Sequence, residues 1–322
     1  MEARVDPHAR QPPPPPTVTT SSSPCAVGSI IRPDGASQIC LLRKFADPVA
    51  SSICLLGDGL WPAAFALGDE LQQTKWRTLL ASATVLELGA GSMGYPGMVS
   101  AICGGPSTRV TLTDKYPLLL RQLQIGVDDN LLASQCSVQL CEWRHDPANP
   151  STLDAMHHDF IIASDVLYNT ATTEAFCDAL ERLAGPRTHV LIACQERWSR
   201  LECIEQAGER GWHFEQLGSA RHPSAEQLAC VDPRELDMCR EGFHSFVYSV
   251  LHRHGAQNGP PAAPAAQLQH ELGLCLSERL ERLQMRFPWV GAPRLRQHMR
   301  EARGNLNEAT EAILAARAHN VP

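Results

Sequence analysis

No C-x-x-C pair occurs among the 12 cysteines of this 322-residue chain, and no N-terminal apolar core marks Met1 to Val27 as a secretory signal. Several cysteines (Cys40, Cys54, Cys194) sit inside apolar runs instead, where a reduced thiol acts as a small hydrophobe. A reducing compartment, cytosol or nucleus, is therefore expected. No apolar run reaches the roughly 18 residues a membrane span requires, so no membrane role is expected. An excess of positive charge is missing as well. The net charge is −7, which argues against a nucleic-acid footprint. What remains is a chain with 43% hydrophobic and 20% charged residues, the balance of a globular protein, expected to act as a monomer. Its length allows one full α/β domain and a small extra module.

Composition divides the chain into four parts. Residues 1–24, with Pro12 to Pro16 and the Thr/Ser-rich run Thr17 to Ser23, cannot bury a core and read as a disordered tail. Residues 25–253 carry the strand and helix signals. Residues 254–267, rich in Gly, Pro and Ala, form a linker. Residues 268–322 contain three short helical segments, Leu272 to Phe287, Arg294 to Ala302 and Leu306 to Ala316, about the smallest unit that folds alone.

Within 25–253, two strands (Ser29 to Ile31, Ile39 to Phe45) flank the turn Pro33-Asp34-Gly35. A helix opens at Trp61-Pro62 and runs to Leu71. Strands Val85–Leu88, Val110–Thr113, Ser137–Leu140, Phe160–Ala163 and His189–Ala193 then alternate with helices near Pro96–Cys103, Leu118–Leu132, Thr172–Leu183 and Leu201–Ala207. Leu119, Leu123, Val127 and Leu131 share one face of the second of these helices, and Gly208 is placed to stop the last. Such alternation with apolar strands implies a mostly parallel, doubly wound sheet. His213–Leu217 and Ser245–Leu251 have no evident helical crossover, which implies an antiparallel hairpin at one edge. Gly218 to Gly242 is polar and has no regular pattern.

Glu87-Leu88-Gly89-Ala90-Gly91-Ser92-Met93-Gly94 breaks a buried strand into a glycine turn. Without a Cβ the backbone can approach a nucleotide-like ligand closely. The spacing Gly89-x-Gly91-x-x-Gly94 matches the dinucleotide fingerprint, a weak signal alone. Asp114 ends the next strand, 23 residues past Gly91, where a carboxylate can bind a ribose diol. Glu87 inside the strand, and Pro96-Gly97 where a pyrophosphate helix should begin, argue against NAD. Ser164-Asp165-Val166-Leu167-Tyr168 follows the apolar run Phe160–Ala163, at the carboxyl end of a central strand where such sheets bind ligands. An aspartate and a tyrosine three apart can face one pocket. Asp165 can accept N–H bonds and aim an amine, and Tyr168 offers an oxygen or a ring face for a cation.

These blocks, with Gly59-Leu60-Trp61-Pro62-Ala63-Ala64 before them and Cys141-Glu142-Trp143 between them, resemble the seven-strand, non-SET protein-lysine methyltransferases that carry a D-x-x-Y motif. The resemblance spans about residues 37–253. It implies a Rossmann-like fold, S-adenosyl-L-methionine as cofactor, and a lysine of a protein as methyl acceptor. It implies that Trp61, Glu87, Gly89, Ala90, Gly91, Asp114, Trp143 and Ser164 bind the cofactor, while Asp165 and Tyr168 face the acceptor. The chain departs from the family pattern in the Ser92–Tyr95 segment and at Gly126, where asparagine is usual; Asn130 is retained.

The C-terminal part resembles ubiquitin-binding CUE/UBA modules. Met285-Arg286-Phe287-Pro288 is similar to their M-F-P signature, and Gly304-Asn305 with Ala309, Ile313 and Leu314 to their closing motif. That implies ubiquitin as a partner, through Phe287, Pro288, Ile313 and Leu314. Other chemistry is less well supplied. Cys136, Cys141 and His145 make no metal set, since strand positions five apart face opposite ways. His157-His158 reads as a solvated loop pair, and Cys194-Gln195 as core. Open alternatives are a catalytically weak adaptor with this fold, a small-molecule amine methyltransferase, an NAD-dependent oxidoreductase, and histidine or arginine as the acceptor.

Overall fold

The computed structural model describes residues 24–43, 56–144, 152–196, 198–229, 231, 244–252, 294 and 298. The Pro-rich run, the linker, His145 and the ubiquitin-site candidates Phe287, Pro288, Ile313 and Leu314 lie outside these described residues.

The chain opens with a hairpin, β1 (Cys25–Ile31) and β2 (Ser37–Leu42), that forms its own two-stranded antiparallel sheet. Helices α1 (Pro62–Leu71) and α2 (Thr74–Leu80) follow. Then come β3 (Thr84–Leu88), α3 (Tyr95–Gly104), β4 (Arg109–Asp114), α4 (Pro117–Asp129), β5 (Cys136–Leu140) and β6 (Phe160–Ser164). The rest is α5 (Thr170–Leu183), β7 (His189–Gln195), α6 (Trp198–Glu209), β8 (Trp212–Gln216), α7 (Ala225–Ala229) and β9 (Ser245–His252). Seven strands join in the order β5-β4-β3-β6-β7-β9-β8, parallel except around β9. This is the mostly parallel, Rossmann-like seven-strand fold expected from the sequence. The sequence reversal lies between β3 and β6, where ligands bind in doubly wound sheets.

The central strands are apolar on both faces because helices cover both. On one face Phe65, Leu67, Met98, Leu123 and Val127 pack with the hairpin's Ile30 and Cys40. On the other, Ile161, Phe176, Leu180 and Ile192 pack with Cys203 and Trp212. Helix α3 is buried at every position, since it is closed in by α1, α2, β4 and the hairpin. Pro96 fits its first turn, where a missing N–H costs nothing. Contrary to the sequence reading, then, Pro96-Gly97 does not disturb this helix start. Gly97 is needed there: a Cβ would fall 2.2 Å from Leu112 Cδ2.

Four further expectations need correction. Helix α4 ends at Asp129, so Leu131 does not join the face of Leu119, Leu123 and Val127; it has φ 58° and is 87% exposed, and Leu132 is buried in its place. Gly208 lies inside α6, and Gly211, at φ 90°, makes the turn. Helix α2 was not anticipated from the sequence. His158 is buried rather than solvated, and burial holds its imidazole below the usual pKa; only His157 is exposed. In the 218–242 stretch, Arg221 bridges to Ser245 and α7 forms one short turn of helix.

Candidate active site

The glycine turn is fixed from three sides. Ala90 N–H donates to Thr113 O at 2.8 Å, Gly91 N–H to Asp114 Oδ2 at 3.1 Å, and Ser92 N–H to Gly57 O at 2.8 Å. Gly91 has φ 63°, and a Cβ there would lie 2.6 Å from Gly57 O. No other residue fits that combination of left-handed backbone and close approach. Gly89, at φ 71°, leaves just enough room for the Trp143 ring, which a Cβ would meet at 3.1 Å.

Beside this turn, at the carboxyl ends of β3, β4 and β6, lies a cavity of about 480 Å³. That volume suits a nucleoside-sized ligand. Gly89, Asp114, Trp61, Trp143, Ser164, Asp165 and Tyr168 all line it. Trp61 stands immediately before α1, with Pro62 setting the helix start behind it. Trp143 is held edge-on to Phe176, ring centroids 5.4 Å apart. Asp114 accepts Gly91 N–H through Oδ2 and Tyr116 N–H through Oδ1. Burial raises its pKa above the ordinary carboxylate value, while these backbone donors pull it down. A lone pair left over after the backbone bonds offers the acceptor chemistry a ribose hydroxyl needs.

Asp165 follows β6 directly and adopts φ 56°, uncommon for a residue with a Cβ. The adjacent strand holds it there. Asp165 N–H donates to Ala193 O at 2.8 Å, and Gln195 N–H reaches Asp165 Oδ1 at 3.4 Å. Val166 and Leu167 then turn inward as core, so the chain presents Asp165 and Tyr168 to the same cavity. Strained or left-handed backbone of this kind concentrates at functional sites.

Three residues expected to bind cofactor, Glu87, Ala90 and Gly91, are not among the cavity's lining residues. Glu87 is fully buried beneath the turn, where its Oε2 accepts Gly97 N–H at 2.9 Å and so fixes α3. Ala90 and Gly91 act through the backbone bonds above. Conversely, Gly57, Lys115, Tyr116, Leu119, Glu142 and Thr172 line the cavity without having been singled out. Lys115 and Tyr116 directly follow Asp114, and Glu142 precedes Trp143, so proximity to a strand's carboxyl end was the available signal. Among the described residues no group of three or more His, Cys, Asp or Glu is arranged to hold a metal.

Residues 51–207 match the lysine methyltransferase family model. Protein N-lysine methyltransferase METTL21A of Danio rerio is 34% identical over 146 residues, covering 44% of this chain and 62% of that protein. The protein of the same name from Mus musculus is 28% identical over 144 residues, with the same coverage. The chain therefore spans about 62% of the length of the curated relatives it matches. Among solved structures, an SAM-dependent methyltransferase from Aquifex aeolicus aligns with a TM-score of 0.39 and 20% identity, over 64% of this chain and 98% of its own. Every residue lining the cavity falls inside 51–207, so the site lies wholly in the stretch over which this chain is similar to the lysine methyltransferases.

Proposed function

We propose that this chain transfers a methyl group from S-adenosyl-L-methionine to a lysine side chain of a protein. The observation that carries the reading is one cavity lined by two chemically distinct sets of residues. Asp114 and Gly89, with Trp61 and Trp143, suit an adenosine moiety; Asp165 and Tyr168 suit an amine. The cofactor, when bound, supplies a methyl group on a positively charged sulfur. The chain's residues do the rest by placement. Asp114 accepts the ribose hydroxyls, and Gly89 with the two tryptophans leaves a flat slot. Asp165 accepts an N–H of the incoming amine and turns its lone pair inward. Tyr168 offers a hydroxyl and a ring face beside it. A lysine has a reference pKa of about 10.4, so it must shed a proton before attack, and desolvation in the slot favours that loss. Positioning of this kind accounts for much of the acceleration in two-reactant transfers.

The test separates the two sets. Asp165→Ala should abolish methylation of proteins in a cell extract while S-adenosylhomocysteine still binds by calorimetry. Asp114→Ala should lose both. Full activity of Asp165→Ala would remove that residue from the mechanism. Absence of S-adenosylhomocysteine binding to the native chain would favour a non-catalytic adaptor.

Two parts of the proposal rest on sequence similarity and composition. A CUE/UBA-like tail would bind ubiquitin through Phe287, Pro288, Ile313 and Leu314. Titration of labelled ubiquitin that leaves the signals of those residues unmoved would remove it. A cytosolic or nuclear location fits the eight described cysteines, none of them in a disulfide and seven of them buried; imaging of the tagged protein tests it.

A further inference from the structure

Lysine is scarce in this chain. Of 28 basic Lys and Arg residues only three are lysine: Lys44, Lys75 and Lys115. Lys44 lies outside the described residues. Lys75 is engaged elsewhere, its Nζ 2.9 Å from Glu70 Oε1 and 4.8 Å from the Trp76 ring centroid. Lys115 lines the cavity that also contains Asp165 and Tyr168. Among the described residues it has no ion-pair partner within 4 Å, and its Nζ rests 4.7 Å from the centroid of the exposed Tyr116 ring. Tyr168 and Glu142 are both near enough to act on its charge, and its pKa is held above the ordinary lysine value, first by the hydrogen bond with Tyr116.

We propose that Lys115 is itself a methyl acceptor, modified within its own molecule at the site proposed above. This rests on the methyltransferase reading. A four-carbon stem rooted next to Asp114 keeps the amine tethered beside the cavity, so its effective concentration exceeds that of any free substrate lysine. The side chain is exposed and, among the described residues, without an ion pair, so it can swing from the Tyr116 ring toward Asp165 without breaking a salt bridge. The ammonium first loses a proton to water. The neutral Nζ then forms its bond to the methyl carbon as the carbon–sulfur bond breaks, and sulfur leaves as an uncharged thioether. Because the resting ammonium is stabilised, the reaction is slow near neutrality and speeds up roughly tenfold per pH unit toward the lysine pKa. A methylated Lys115 would present a bulkier, still charged head at the entrance to the cavity.

Three lysines make the test unambiguous. Full-length protein is incubated with S-adenosylmethionine and no other substrate, and peptides are mapped by mass spectrometry. Methylation should appear at Lys115, with a rate constant independent of protein concentration. It should vanish in Lys115→Arg and in Asp165→Ala. As a check that needs no turnover, reductive ¹³C-methylation of the protein gives each lysine its own NMR signal. The Lys115 signal should move when S-adenosylhomocysteine is added, and the Lys75 signal should not. Methylation confined to Lys44 or Lys75, or a Lys115 signal indifferent to S-adenosylhomocysteine that binds, overturns the proposal. If extract proteins are methylated while Lys115 stays unmodified, only this inference fails. If S-adenosylhomocysteine does not bind, the methyltransferase reading falls and takes this inference with it.

Discussion

Glu87→Gln isolates the electrostatic cost of the buried acid under the glycine turn. Glu87 is fully buried, and desolvation raises its pKa from 4.5 to about 8; Asp114 adds to the rise, and the Gly97 N–H opposes it. The folded chain therefore holds this proton at pH values where the unfolded chain has released it. With more protons bound in the folded state, stability falls as pH climbs from about 4.5 to about 8. At about 1.4 kcal/mol per pH unit the ceiling is about 5 kcal/mol. Water entry and relaxation reduce such penalties, so about 2–4 kcal/mol is the working figure. Glutamine has nearly the same shape and keeps an oxygen for Gly97 N–H, but it cannot ionise. Thermal unfolding followed by circular dichroism should place the two proteins close together at pH 5. At pH 8.5 the variant should melt higher by about 5–15 °C, given 2–4 °C per kcal/mol for a domain of this size. Other titrating groups are common to both proteins and cancel. A gap that stays constant from pH 5 to 8.5 would refute the assignment of a retained proton to Glu87.

Asn130→Ala should detach the hairpin. Its side chain accepts Leu41 N–H at 2.8 Å and donates to Leu41 O at 2.7 Å and Gly126 O at 2.8 Å. Removing it strands the backbone groups of Leu41, a loss of about 2–4 kcal/mol. Hydrogen exchange should quicken along β2 while β3 to β7 stay protected. Cys40 and Cys136 are buried, with thiols pushed up to about 12 by desolvation. They should resist thiol reagents in the native protein and react only on unfolding, whereas exposed Cys25 reacts at once.

Strands were readable because both faces of the sheet are covered, which gives β6 and β7 continuous apolar runs and β3 one broken only by Glu87. Their flanking turns were readable through Gly89, Gly91 and Asp114. Helix ends were harder, since periodicity continues past the point where the backbone turns. Leu131 keeps the spacing of Leu119, Leu123 and Val127, yet Asn130 has already left the helix to bond the hairpin, and no local signal announces that partner 89 residues away. His158 was misread for a related reason. Its neighbours are polar, but Thr188 Oγ1, from the start of the next strand, donates to its carbonyl and helps seal it in. At the site, Asp165 and Tyr168 were legible as a motif, whereas the left-handed backbone that turns Asp165 toward the cavity depends on Ala193 and Gln195. Lys115 carried no motif and became visible only once β4 and β6 were placed on either side of β3.

The two acids around the glycine turn divide their labour through one proton. Both acids are buried and both are held above the ordinary carboxylate value, and Asp114 adds to the rise at Glu87. Their backbone donors differ. Asp114 takes three backbone N–H bonds, from Gly91, Tyr116 and Lys115, and ionises first. Among the described residues Glu87 has the single Gly97 donor, and none bonds its Oε1. When Asp114 loses its proton, Glu87 is still neutral and exerts no charge upon it. The pair's first negative charge thus resides on the acid that faces the cavity. A second charge behind the turn would repel the first and loosen the Gly97 contact that seats α3. The strand acid therefore works best protonated, as a hydrogen-bonded plug between β3 and α3, leaving Asp114 as the acid that faces the cavity, where the proposed function has it accept a ribose diol.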